Sequence, residues 1–424
     1  MNHQNLIKKL RIAVKQEGLL TSLRQISLFS GGGMTAQLIM MVYALIVARS
    51  LGPEQLGVYN GMYAILGVSI TLVNFGLDQW MLNEAHKYHS VQIVSGKIII
   101  IKLILGLVWG LLCMIVLPLT RPNYFTVGLI LFGVGDVISD VIFNSIVSSW
   151  SITRNIRDIN LMLLLSRIGK FFLLVVLIFI NYVYPMTIVG SRFFISFLVL
   201  VSSLLMFKPI LSGQKIKDLA RILKKSTDFG LSEVFAMIYA NIDVAILSFY
   251  SITDTGMYSP ASGIIHALFI IPNSIFIFLL PKYSKKINGQ DKILFGSLSI
   301  KILSIFIISG FILFLSLYIS GEFLVSFLLG ANFIGTGQVL IILSPIMLFK
   351  SISFGLALLI IITGNQRKRL VTQLAVSIFN ILFNLILIPL FGLTAVAWVY
   401  TISEFLLMLG YLVTVIQIRK NEQE

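Results

Sequence analysis

Apolar residues run along this chain in blocks of about twenty, separated by short polar stretches rich in lysine and arginine. The blocks fall near residues 26–48, 58–77, 94–118, 125–150, 160–182, 186–207, 229–250, 257–281, 293–319, 336–362, 370–389 and 393–416. About twenty apolar residues in a helix suffice to cross the hydrocarbon core of a bilayer. The pattern predicts an all-α polytopic membrane protein of about twelve transmembrane helices. Arg49, rather than a small-residue cleavage site, follows the first block, which predicts a retained helix and not a signal peptide.

Orientation follows from the basic loops. With the N-terminus inside, the inner segments hold most of the 32 lysines and arginines, including Lys8, Lys9, Arg154, Arg157, Lys224, Lys225, Lys285, Lys286 and Arg367. The outer loops hold Arg49 and Arg121. An even number of spans then places both termini in the cytoplasm.

The longest loop, 208–228, reads "KPILSGQKIKDLARILKKSTD". Ile216, Leu219, Ile222 and Leu223 recur at helical spacing opposite Lys215, Lys217, Arg221 and Lys224, which predicts an amphipathic helix on the inner membrane surface. The expected organisation is an amphipathic segment 1–25, a first six-helix unit 26–207, the linker 208–228, a second unit 229–416 and a tail 417–424. "GVYNGM" at 57–62 and "GMYSPA" at 256–261 open the second span of each half. With an even number of spans per half, such a repeat is parallel, about an axis along the membrane normal.

Composition agrees. Hydrophobic residues make up 57 % of the chain and charged residues 12 %, where a soluble protein carries about a quarter charged. The net charge of +15 is a topology signal, reinforced by anionic head groups, and points to membrane lipids rather than nucleic acid. Cys113 is the single cysteine, which excludes an intramolecular disulfide and a cysteine metal site. There is no G-x-x-x-x-G-K-[ST] phosphate loop, and "GGG" at 31–33 lies in an apolar span, where close helix packing explains it. His3, His86, His89 and His266 form no zinc-like set, with His86 and His89 expected solvated in an inner loop. No loop is large enough to house glycosyl-transfer chemistry, so the sequence points away from an enzyme.

The informative residues are the charges inside spans. A cation at bilayer depth costs roughly 2.5–3.5 kcal/mol on insertion scales, and such residues mark bundle interiors, cavities or pathways. Those placed within spans are Arg167, Lys170, Arg192, Lys301 and Lys350. Lys170 lies roughly 15 Å from the inner end of span five, near the midplane. Asp136 and Asp140 share a face of span four, with Asp140 at the depth of Lys170. Lys350 and Glu404 lie at matching depths, and Asp243 lies in the outer part of span seven.

Two readings stand beside each other. Arg167 can snorkel inward, Arg192 and Arg49 outward, and Asp140–Lys170 and Lys350–Glu404 can be structural ion pairs. Alternatively, Arg167, Lys170 and Arg192, assisted by Arg49 and Lys350, line a wet cavity and grip a phosphate or pyrophosphate. Asp136, Asp140, Asp243 and Glu404 are then the candidates for ion coupling.

Several stretches resemble one family. "ARSLGPEQLGVYNGMYAI" at 48–65, "NIDVAILSFYSITDTGMYSPASGI" at 241–264, "LPKYSKK" at 280–286 and "NILFNLILIPLFGLTAVAWVYTISEF" at 380–405 are similar, in order and spacing, to the Wzx-type polysaccharide-exporter flippases of the MOP superfamily. Pro260 before Ala261, and Thr394 in a stretch of small residues, depart from the pattern. The resemblance implies two six-helix lobes related by a pseudo-two-fold, as in MATE transporters, in a bacterial cytoplasmic membrane. It implies a cargo of oligosaccharide linked through pyrophosphate to undecaprenol, for an O-antigen, capsule or exopolysaccharide. It implies no cofactor, coupling to H+ or Na+, a monomer, and a polymerase and a chain-length regulator as partners. The rivals are a MATE-type multidrug/cation antiporter, a lipid II flippase and a membrane glycan polymerase or ligase.

Overall fold

In the computed structural model the described backbone covers residues 3–84, 90–121, 123–153, 155–211, 216–287 and 294–423, with side chains described over most of 35–419. The side chains of the expected amphipathic segment 1–25, residues 212–215 of the expected linker, and His86 and His89 lie outside the described residues. Among the described residues the secondary structure is helical throughout: α1 His3–Asn74, α2 Leu77–Glu84, α3 Val91–Thr120, α4 Val127–Ile152, α5 Ile156–Phe179, α6 Pro185–Phe207 and α7 Ile216–Tyr250. There follow α8 Ile252–Leu268, α9 Ile270–Ile287, α10 Leu294–Leu329, α11 Ile334–Leu343, α12 Pro345–Ile362 and α13 Gln366–Gln423.

Nine described helices are long and apolar enough to cross a membrane. Two of them are double. Thr35–Asn83 bends at Gly52, which takes φ 70°, and Gln366–Arg419 bends at Gly392, which takes φ 55°. Pro53 opens the second segment of α1, a position where its missing N–H costs nothing. Helix α7, 35 residues long, ends in the shorter apolar stretch Asn241–Tyr250; counted with the two bent helices taken as pairs, it agrees with the expected number of about twelve.

The linker differs from expectation. Helix α7 runs unbroken from residue 216 to the end of span seven, so this part of the linker is not a separate element. The described part of its apolar stripe meets protein. Leu219, Ile222 and Leu223 pack with Leu77, Trp80, Val94 and Ile98 of the first half. Lys97–Asp218 at 3.3 Å fastens the contact.

In the first lobe α4 packs on α3 and α6, and α5 sits against α1, α4 and α6. In the second, α12 is central, touching α9, α10 and α13. The lobes join chiefly where α1 meets α7 and α8. That junction is reciprocal. A Cβ on Gly57 would lie 1.8 Å from the carbonyl oxygen of Ile252, and one on Gly256 would lie 1.6 Å from that of Pro53. Asn60 donates to Ser259 Oγ at 2.7 Å, and these residues are 199 apart in sequence, as are Gly57 and Gly256, and Pro53 and Ile252. The same residues meeting twice is what a two-fold axis produces. The echo read in the sequence is thus a structural pseudo-two-fold.

Candidate functional site

Helix α4 starts where Thr126 accepts a hydrogen bond from the Leu129 amide, and it carries Asp136 and Asp140 inward on one face. Asp136 is buried, accepts hydrogen bonds from three side chains and forms an ion pair with a fourth. Tyr63 Oη lies at 2.7 Å, Ser196 Oγ at 2.5 Å, Arg192 Nε at 3.1 Å and Lys170 Nζ at 3.5 Å. Lys170 also donates to both oxygens of Asp140, at 3.3 and 3.2 Å. Arg192 donates to Tyr59 Oη at 2.5 Å and sits over the Tyr63 ring, 4.4 Å from its centroid. Two anions and two cations cancel, and the network staples α1, α4, α5 and α6 together.

This corrects the expected role of Lys170. Its side chain is 0 % exposed, and its ammonium is held between Asp136 and Asp140. An ammonium enclosed in this way does not face a cavity. Arg192 is likewise engaged, by Asp136 and the faces of Tyr43, Tyr59 and Tyr63. The Asp140–Lys170 ion pair is present as the structural alternative has it, and Asp136 joins it; Arg192, for which outward snorkelling was the alternative, is instead paired with Asp136.

Arg167 is different. It is half-buried and makes no hydrogen bond or ion pair among the described residues. It lies about 100° round α5 from buried Ser166 and shares a flank with Phe171 and Ile178. Those two pack into the cluster that contains Tyr43 and Val47 of α1. Gly169, on the opposite flank, sits against Ile195 of α6. Arg167 makes no ion pair with Asp136 or Asp140 among the described residues. Arg49 is exposed beside the Gly52 bend, at the end of α1's first segment, and joins neither group.

In the second lobe Lys350 and Glu404 form the pair that their depth predicts, at 2.6 Å, with Glu404 fully buried. Nearby, Asn380 donates to Ser403 at 3.1 Å and Asn384 to Asn380 at 3.1 Å. Asp243 is buried, accepting from Tyr258 Oη and from the Val244 amide, with no cation at ion-pair distance among the described residues. The cations read from sequence thus divide into neutralised ones (Lys170, Arg192, Lys350) and ones without an ion-pair partner in the described structure (Arg167, Arg49).

Residues 22–286, well over half of the chain, match the family described as polysaccharide biosynthesis protein. The chain belongs to that family. A curated relative, the capsular polysaccharide biosynthesis protein CapF of Staphylococcus aureus, is 32 % identical over 157 residues, 37 % of this chain and 39 % of that protein. The chain is thus matched to well under half of that relative's length.

Among solved structures, the lipid II flippase MurJ in an inward closed conformation is similar with a TM-score of 0.69. It is 16 % identical over 93 % of this chain and 90 % of that one. An inward-facing multidrug resistance MATE family transporter of the MOP superfamily is similar with a TM-score of 0.69, 13 % identical over 91 % and 94 %. The fold is that of MOP-superfamily transporters and flippases, as the sequence resemblance implied.

The family match spans the first lobe, so the Asp136–Arg192 network lies inside it and Lys350–Glu404 beyond it. Two features of this family member escape a sequence reading. Lys102 is 0 % exposed, 2.8 Å from both Asp78 oxygens and 3.0 Å from the Val141 carbonyl, while Ser145 donates to Asp78 at 2.7 Å. Its signal was present, since Lys102 interrupts the apolar run "IIIIKLILGL". The aromatic cage around Arg192 had the weaker signal of Tyr59 and Tyr63 one turn apart.

Proposed function

We propose that this protein flips an undecaprenyl-pyrophosphate-linked oligosaccharide across the bacterial cytoplasmic membrane by alternating access of its two lobes. The observation that carries the reading is the contrast between Arg167 and the other first-lobe cations inside spans. Lys102, Lys170 and Arg192 are each matched by a carboxylate, whereas Arg167 has no counter-charge among the described residues. A guanidinium at that depth costs several kcal/mol unless it meets water or an anion. Its planar fork suits the oxygens of a pyrophosphate.

In this reading Arg167 is the anchor, and Lys170 and Arg192 hold the lobe that presents it. Lys350 and Arg49 flank the path. Among the acids, Asp243 is the coupling group, because Asp136, Asp140 and Glu404 are committed to cations while Asp243 accepts from Tyr258 and the Val244 amide and meets no cation at ion-pair distance among the described residues. It exchanges H+ or Na+ with the lobes' movement, and no cofactor is required. The transporter works as a monomer alongside a polymerase and a chain-length regulator.

The test is reconstitution of the protein in liposomes that carry lipid-linked oligosaccharide on one leaflet. Flipping is read by access of an impermeant glycan-modifying enzyme. Arg167→Ala should reduce the rate tenfold or more with normal insertion. Equal rates in Arg167→Ala and wild type would remove the anchor. The multidrug antiporter reading draws on one observation, the buried acid Asp243 without a cation. Proton-linked efflux of a cationic dye with no glycolipid flipping would favour it.

A further inference from the structure

One face of α8 runs from the seam between the lobes into the space beneath it. Ser259, Gly263 and His266 stand at i, i+4 and i+7 and share that face. Ser259 is bonded to Asn60 of the opposite lobe at 2.7 Å. One turn on, a Cβ at Gly263 would meet nothing within 4 Å, and His266 beyond it is exposed. The lobes touch at Ser259, and no such contact continues along this face at Gly263 or His266 among the described residues.

His266 does not stand alone there. Its Nε2 lies 3.1 Å from Tyr400 Oη of α13, and its ring lies 5.5 Å from that of Phe269 and 6.0 Å from that of Tyr400. Lys350 Nζ approaches the Phe269 ring to 5.4 Å from its centroid, and its charge is matched by Glu404 at 2.6 Å. The surface therefore offers an imidazole held from behind by the buried Tyr400 hydroxyl, beside the half-buried Phe269 ring, with the nearby charge cancelled. An open imidazole at this depth is costly against lipid and sensible against water or a polar ligand. Phosphate recognition wants surplus positive charge. A sugar ring presents hydroxyls that donate and accept, and C–H faces that lie against aromatic rings, which is what this surface matches.

We infer that His266 and Phe269, with the buried Tyr400 as the residue that positions the imidazole, form a sugar-binding subsite on the second lobe, which receives the glycan while Arg167 on the first lobe receives its anionic head. The inference rests on the flippase reading above and adds where the sugar is held. Specificity for the repeat unit then resides in α8 and α13, and the lipid pyrophosphate is handled across the cavity.

The test measures binding to the full-length protein in lipid nanodiscs with two probes. One is undecaprenyl pyrophosphate, and the other is lipid-linked oligosaccharide extracted from the host. Wild type should bind the glycosylated probe at least tenfold more tightly. His266→Ala and Tyr400→Phe should erase most of that preference while leaving undecaprenyl pyrophosphate affinity within twofold. His266→Asn, which keeps a donor, should restore part of it. Arg167→Ala should weaken both probes by the same factor. A preference that survives in His266→Ala, or a parallel fall for both probes there, overturns the subsite. Equal binding of both probes by wild type also overturns it while leaving the flippase reading standing. Wild type that binds neither probe overturns the flippase reading and the subsite together.

Discussion

Replacing Lys170 by methionine separates a structural cation from a functional one. The ammonium is enclosed and shared by Asp136 at 3.5 Å and Asp140 at 3.2 Å. Breaking a buried ion pair from one side costs about 3–5 kcal/mol, because the abandoned charge stays buried. Here Asp136 keeps Arg192, Ser196 and Tyr63, and the Asp140 side chain is 30 % exposed and can take water. The cost therefore falls at the low end, about 3 kcal/mol.

An unfolding entropy of about 2.1 cal/mol/K per residue gives roughly 0.9 kcal/mol/K for 424 residues. The midpoint should drop by about 3 °C or more, read by fluorescence-detected size exclusion after heating in mild detergent. Removing both charges, Lys170→Met with Asp140→Asn, should recover most of the loss, since replacing a whole buried pair is near neutral. Arg167→Ala breaks no described ion pair and should leave the midpoint within about 1 °C. The reasoning is refuted if the double variant is less stable than Lys170→Met, or if Arg167→Ala is as destabilised as Lys170→Met.

Other outcomes follow from the same contacts. In Asn60→Cys/Ser259→Cys, a short thiol crosslinker should join the lobes and stop flipping, with recovery when a reducible linker is cleaved. Cys113, the one native thiol, is buried and gives little background. Gly256→Val should force the seam apart, because its Cβ would fall 1.6 Å from the Pro53 oxygen, and trypsin sites or thiol labels at the lobe junction should become more reactive. Asp243→Asn should abolish flipping driven by an ion gradient while substrate exchange without a gradient persists; unchanged gradient dependence would exclude it from coupling. Lys102→Met should lower stability by about 3–5 kcal/mol with substrate binding intact, because three acceptors lose their donor.

Depth along a helix was legible in the sequence, and rotation about it was not. Lys350 and Glu404 were paired by counting residues from span ends, and the pair is present. Asp136 and Asp140 were placed on one face, and they share Lys170. The repeat could be seen as two short strings, and it proved to be the contact between lobes. Arg167 and Lys170 were assigned one role because they lie three residues apart. They stand about 60° apart round the helix, and the structure buries Lys170 between two carboxylates while Arg167 stays half-buried with no described ion pair. A span apolar on nearly every side carries no polar stripe by which that rotation could be judged. Lys102 lies within the block 94–118, and its partner Asp78 belongs to a different helix, so no spacing within one span pairs them. His266 was weighed only as a metal ligand. Its exposure is a property of the gap beside α8, which no local pattern encodes.

The reciprocal fit of Gly57 and Gly256 has a kinetic consequence. Each glycine is clamped by a carbonyl that precedes the other on its own helix, so neither can be released while its counterpart stays seated. Such a joint has no half-undone arrangement. It parts in a single concerted event, with a barrier set by both contacts at once, and the molecule should dwell in discrete end states and cross quickly between them.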